Sequence, residues 1–255
     1  MEASVYYGTE RLKEIAFRLF ICANDKGGVG KSVVTSILFG YLCKTLNGAA
    51  DRVRGIDSDP KNSSFHRKYP QVVEPLNIRE LQNADALVKP FEEDVDIVVV
   101  DNRATAMSDE DKGLKAWIDE VELFKVVGEH GIGITFGAIV NQERENLEVL
   151  KETFDGIGER ADWIVFRNFR GTDSVLWDTS NMRDEMLRLG ISEIEMPLIP
   201  KHYERQMHVE KLALENVRPQ DIADHGRKRR FITDLYSRLE VIEPLLIPQK
   251  LLIAR

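Results

Sequence analysis

Apolar residues fall into two kinds of run along the chain. Short stretches rich in β-branched and aromatic residues stand at 17–23, 97–100, 132–140, 163–167 and 194–199, with a poorer one at 52–56. Runs of this kind, apolar at almost every position, read as strands buried on both faces. Between them lie stretches with helical spacing, near 111–125, 143–158 and 175–189. The most regular runs from about Ser32 to Leu46, where Val34, Leu38, Leu42 and Leu46 recur every fourth residue and mark one helix face. Strand and helix alternate, so the expected fold is α/β, a mostly parallel twisted sheet flanked by helices. From about 204 the pattern reads as two further helices, broken around Pro219. No internal repeat or low-complexity linker divides the chain, which predicts a single domain over 1–255 with a helical C-terminal region.

Composition narrows the class. The 255 residues are 43% hydrophobic and 31% charged, ordinary for a globular protein. A net charge of −8 excludes a chain coated in basic surface, though not a local basic patch. Two cysteines, Cys22 and Cys43, exclude a disulfide framework or a cysteine-rich metal site. No stretch approaches the roughly 18 apolar residues of a membrane span, and the N-terminus lacks a signal-peptide pattern. These features predict a cytoplasmic protein that does not dock on membranes.

The chemistry concentrates in DKGGVGKSVV, residues 25–34. It follows a strand and opens a helix, the context in which backbone N–H groups and a helix N-terminus cradle phosphate. The pattern G-x-x-x-x-G-K-[ST] is met except at its first glycine, where Asp25 stands. Gly27, Gly28 and Gly30 supply turn conformations, Lys31 is spaced to reach the β- and γ-phosphates, and the Ser32 hydroxyl to ligate Mg²⁺. The expected nucleotide contacts run from Gly27 through Val29 to Val33.

Lys26, immediately before Gly27, makes this loop resemble the deviant Walker A motif of the ParA/MinD family of P-loop ATPases. The resemblance implies ATP and Mg²⁺ as ligands, ATP hydrolysis, and a homodimer formed on ATP, in which Lys26 contacts the phosphates held by the other subunit. It extends to Asp57-Ser58-Asp59-Pro60, similar to the family's D-x-D-P segment; by that match Asp57 serves the Mg²⁺ shell and Asp59 orients the attacking water. Asp101, ending the 97–100 run, matches the Walker B aspartate. Asn168 matches the asparagine that reads adenine, and Pro200 the segment that closes over the base. The departure is Asn102-Arg103-Ala104, where the family usually has Thr or Cys and then Pro.

Among members of that family, those with iron–sulfur clusters need cysteines, and none follows Cys43. Those that are tyrosine kinases end in tyrosine clusters, and only Tyr203 and Tyr236 fall in the last quarter. MinD ends in a basic amphipathic membrane helix; here Pro244 and Pro248 interrupt the apolar end. A ParA-like ATPase for DNA (plasmid) segregation is therefore the leading expectation. Arg227, Lys228, Arg229 and Arg230, with Arg238 nearby, would hold double-stranded DNA without sequence preference, in association with the nucleoid, and a centromere-binding partner protein would stimulate hydrolysis. An accessory ATPase of plasmid mobilisation or conjugation, a MinD-like positioning ATPase and a metabolic ATP-dependent ligase are the alternatives.

Overall fold

The computed structural model describes residues 15–253 apart from 25, 48–49, 60, 79–80, 104–113 and 170–175. Asp25, Pro60, Ala104 and the start of the helix expected at 111–125 therefore lie outside the described residues. Seven parallel strands form one sheet in the order β3-β2-β4-β1-β5-β6-β7. They are β1 (Phe17–Cys22), β2 (Val53–Asp57), β3 (Val73–Pro75), β4 (Ile97–Asp101), β5 (Ile132–Val140), β6 (Asp162–Asn168) and β7 (Ser192–Met196).

The two faces of the sheet carry separate cores, and β4 shows how the strand period of two divides them. Ile97 and Val99 face α1 (Lys31–Thr45), together with Phe20, Ile164 and Phe166. Val98 and Val100 face the opposite way, against Trp117 of α2 (Leu114–Glu120), Leu123 of α3 (Leu123–Glu129) and Leu150 of α4 (Arg144–Ile157). Met186 of α5 (Asn181–Arg188) lies on that second side as well. The first core is completed by Tyr203 of α6 (Lys201–Val209), Leu235 of α7 (Ile222–Glu240) and Leu251 of α8 (Gln249–Ile253).

Several elements differ from expectation, each for a local reason. The helix expected to run to 125 breaks at Glu122, whose φ of 48° is left-handed, and resumes as α3. The stretch expected as helix from 175 is a 3-10 turn, Leu176–Thr179, before α5 starts at its cap Ser180, which accepts from the Arg183 N–H. β7 ends at Met196, and Pro197, which has no N–H to donate, follows it. β3 was not expected: three residues ending in proline make a weak edge strand, with Val73 alone buried.

The apolar chain end packs on the body. Leu246, Ile247 and Leu251 are buried, and the Arg18 guanidinium, itself buried, donates to the Pro244 carbonyl at 2.9 Å. Lys250 reaches the buried Asp96 at 2.5 Å. Among the described residues, no helix is long and apolar enough to cross a membrane.

A candidate nucleotide site at the phosphate loop

β1 delivers the chain to the loop through Asn24. Its side-chain amide donates to the Ile139 carbonyl at 2.8 Å and accepts from the Ile139 N–H at 2.5 Å, adding a rung where the strand has ended. The loop then turns through Gly28 (φ 81°) and Gly30 (φ 106°), conformations closed to most side chains. A Cβ at Gly27 or Gly28 would meet no protein atom within 4 Å. Those two glycines therefore face open space, a cradle that side chains would fill. The Gly30 carbonyl accepts from the Val33 and Val34 N–H groups and starts α1.

Lys31 is buried and folded back, its ammonium donating to the Lys26 carbonyl. Asp101 ends β4 beneath the first turns of α1 and accepts from the Thr35 hydroxyl at 3.3 Å. Burial pushes its carboxyl up to about 7; Asp57 adds to the rise, while the Ser32 hydrogen bond and the Lys31 and Lys68 charges oppose it. Ser32 and Asp101 thus share one location. Their donors are hard oxygens, the chemistry that suits Mg²⁺. Among the described residues no group of three His, Cys, Asp or Glu could cage a metal by itself.

The other two aspartates are engaged in local structure. Asp57 is fully buried and accepts three backbone N–H groups, from Asp59 at 3.1 Å, Phe65 at 2.9 Å and His66 at 3.0 Å. Burial raises its pKa, those bonds opposing. A carboxylate has about four acceptor positions, so little remains for a direct metal bond. Asp59 folds over its own turn, accepting from the Lys61 and Asn62 N–H groups and from the Asn62 side chain at 2.8 Å. Ser58, between them, ties two strand ends together. Its N–H donates to the Asp101 carbonyl, its hydroxyl to Asn102 Oδ1 at 3.1 Å, and the Arg103 N–H donates to that hydroxyl at 2.8 Å. Asn102 and Arg103 thus join the loop of Asp57 and Asp59 to the end of β4.

Lys26 points out of the loop. Its ammonium is paired with Glu143 at 2.7 Å and Glu145 at 2.5 Å, where β5 passes into α4. These two carboxylates raise its pKa. Beside the loop lies a pocket of about 580 Å³ whose walls include Val33, Met196, Ile199, Pro200, Met207 and His208. Asn168 stands at its inner edge and donates to the Val29 carbonyl at 2.9 Å, so the asparagine, the loop and Pro200 share one cavity.

The basic run of α7 does not form one patch. At 100° per residue a helix spreads four consecutive side chains round its circumference. Arg227, Arg229 and Arg230 are exposed, whereas Lys228 turns inward and donates to the Glu215 and Val217 carbonyls at 2.6 and 2.7 Å. Arg238, expected nearby, bonds the Glu195 carbonyl at 3.0 Å.

No family model matches the chain. Among solved structures it is similar to a chain of the MinC:MinD cell division protein complex from Aquifex aeolicus, with a TM-score of 0.51 and 16% identity over 89% of this chain and 96% of that one. The MinD cell division protein of the same organism gives 0.50 and 16% identity, over 89% and 98%. The chain shares the parallel α/β fold of these MinD chains. In sequence, the chain is 30% identical over 156 residues to Protein MobD of Acidithiobacillus ferrooxidans. That match takes in 60% of this chain and spans 64% of the relative's length.

Sequence reasoning missed Glu143, Glu145 and Lys68. The two glutamates lie some 120 residues beyond the loop, and no local pattern ties them to it. Lys68 reads in sequence as one more charge in HRK, and only its burial singles it out.

Proposed function

We propose that this protein is a Mg²⁺-dependent ATPase that dimerises on ATP and serves as an accessory ATPase of plasmid mobilisation. The observation that carries the ATPase reading is the convergence of the open glycine cradle, Lys31, Ser32 and Asp101 at the ends of β1 and β4. In this reading Lys31 would turn from the Lys26 carbonyl to the β- and γ-phosphates, and the pocket beside Asn168 and Pro200 would take the adenine. Ser32 and Asp101 would hold Mg²⁺, which when bound would neutralise charge developing on the phosphates. Asp57 serves that shell chiefly by fixing the loop of Asp59, and Asp59 orients the attacking water. Lys26, released from Glu143 and Glu145, supplies a cation to the phosphates of a second copy.

The likeness to Protein MobD favours mobilisation over partition. Segregation would draw on a concentrated DNA-binding patch, and with Lys228 inward α7 offers three exposed arginines per subunit. Nonspecific contact with double-stranded DNA in the ATP dimer remains part of the proposal, as does a protein partner that stimulates hydrolysis.

The test begins with calorimetry. The parent should bind Mg²⁺-ATP and Lys31→Ala should not; equal affinity in the two removes the assignment. Turnover measured with unrelated duplexes, with and without proteins of a mobilisation system, then separates the roles. ATPase stimulated by a small carboxylic or amine substrate and indifferent to DNA would place the chain among the metabolic ligases.

A further inference from the structure

Three lysines converge on the phosphate loop, and the roles above account for two. The third is Lys68, in the connection between β2 and β3. It is 9% exposed, and its ammonium lies against the first turn of α1. Nζ is 3.0 Å from Ser36 Oγ and 3.4 Å from the Ser32 carbonyl, to which Ser36 Oγ also donates. Both acceptors are neutral, and Lys68 forms no ion pair with any described residue.

A buried charge normally keeps a charged partner, because burial without one is costly. Here Asp101, Asp57 and Glu215 favour the ammonium from a distance, and Lys211 opposes it. The helix adds a second unfavourable term, since its N-terminal end is already positive. Two positive features are thus held together behind Ser32, with no carboxylate among the described residues bonded to the ammonium to balance it. An arriving polyphosphate would supply that balance, whereas an arriving divalent cation would add to the excess.

We propose that Lys68 is a built-in countercation of the phosphate site, which strengthens binding of a metal-free nucleoside polyphosphate and weakens the subsequent binding of Mg²⁺. The proposal rests on the Mg²⁺-ATP reading and adds to it a residue that sets the balance between metal-free and metal-loaded nucleotide. A fixed positive charge acts with opposite signs on the two ligands. A residue that merely braces α1 would move both affinities the same way when removed, and that contrast makes the role measurable.

The experiment uses the full chain and two variants. Lys68→Met removes the charge and the hydrogen bonds; Lys68→Gln removes the charge and retains a donor for Ser36 and Ser32. Calorimetry measures ADP binding in EDTA, then Mg²⁺ titrated into the ADP complex, and circular dichroism monitors folding. In both variants the ADP dissociation constant should rise by about fivefold or more, and that for Mg²⁺ should fall by about threefold or more. Affinities that move in the same direction, or a glutamine variant with parental values, overturn the proposal. If both variants lose the folded baseline, Lys68 is a packing residue and the proposal falls. A parent that binds neither ADP nor Mg²⁺ overturns the nucleotide reading as well. A parent that binds both, with variants that match it, overturns this proposal alone.

Discussion

At Asp101 the carboxyl is pushed from 3.8 to about 7 by burial at the end of a strand with no access to water. A raised acid keeps its proton in the folded chain where the unfolded chain has lost it. Its contribution favours folding at low pH and is lost as pH rises through about 7. Asp101→Asn stays neutral and can still accept from Thr35, so ligand-free Asp101→Asn should melt above the parent at pH 8. The gap should narrow towards pH 5. Thermal melts of the pair check this, and a gap independent of pH would contradict it. Lys26 poses a different problem, because its ion pairs with Glu143 and Glu145 are solvent-exposed and therefore weak. Such a pair can hold a lysine in the monomer and still yield it to a partner's phosphates. Glu143→Gln/Glu145→Gln should form the ATP-dependent dimer at lower protein concentration than the parent. Lys26→Ala should bind ATP without turnover. Sedimentation with ATP and steady-state hydrolysis test the two. The turn through Gly27, Gly28 and Gly30 between a strand and a helix was legible because backbone conformation there is dictated locally by glycine. The clamp on Lys26 was not, because it depends on where β5 lies beside β1.

At the scale of elements, α7 shows how a sequence pattern changes meaning on a helix. Four basic residues in a row suggest one patch, yet the helical turn points Lys228 at the carbonyls of Glu215 and Val217. Removing it takes the donor from two part-buried acceptors, each bond contributing about 1 kcal/mol. Lys228→Ala should accordingly lower the melting temperature by several degrees. Arg227→Ala/Arg229→Ala/Arg230→Ala should leave stability unchanged and reduce any ATP-dependent DNA retention. Thermal melts and duplex binding at fixed salt separate the two, and a destabilised arginine variant would contradict the division. α1 was legible in extent, but its burial was not. The stripe of Val34, Leu38, Leu42 and Leu46 implies one apolar face, whereas every residue from Val34 to Leu42 is buried. The sheet covers one side of the helix, and α7 with the turn at Leu214–Asn216 covers the other.

For the whole molecule, the C-terminal segment is the least obvious contributor to the fold. Residues 242–251 lie against the sheet, with Ile242, Leu246, Ile247 and Leu251 buried and Arg18, Thr135 and Asp96 bonded to the segment. Burying four such side chains contributes on the order of 6 kcal/mol, comparable to the net stability of many domains. A chain truncated after Glu240 should therefore unfold at much lower urea than the parent. An unchanged midpoint would mean that the segment only rests on the surface. Two prolines in the segment suggested packing over membrane docking, but the surface it covers was not readable from sequence. The strands around the loop, the α/β class and the likeness to P-loop ATPases were determined by sequence alone, since strand hydrophobicity, glycine turns and residue spacing act over a few neighbouring positions. Tertiary structure alone decided that Lys68 is a buried cation behind Ser32, that Lys228 is turned inward, and that Glu143 and Glu145 hold Lys26. Burial and charge pairing are properties of space between distant segments, and only the order of strands in the sheet brings those segments together.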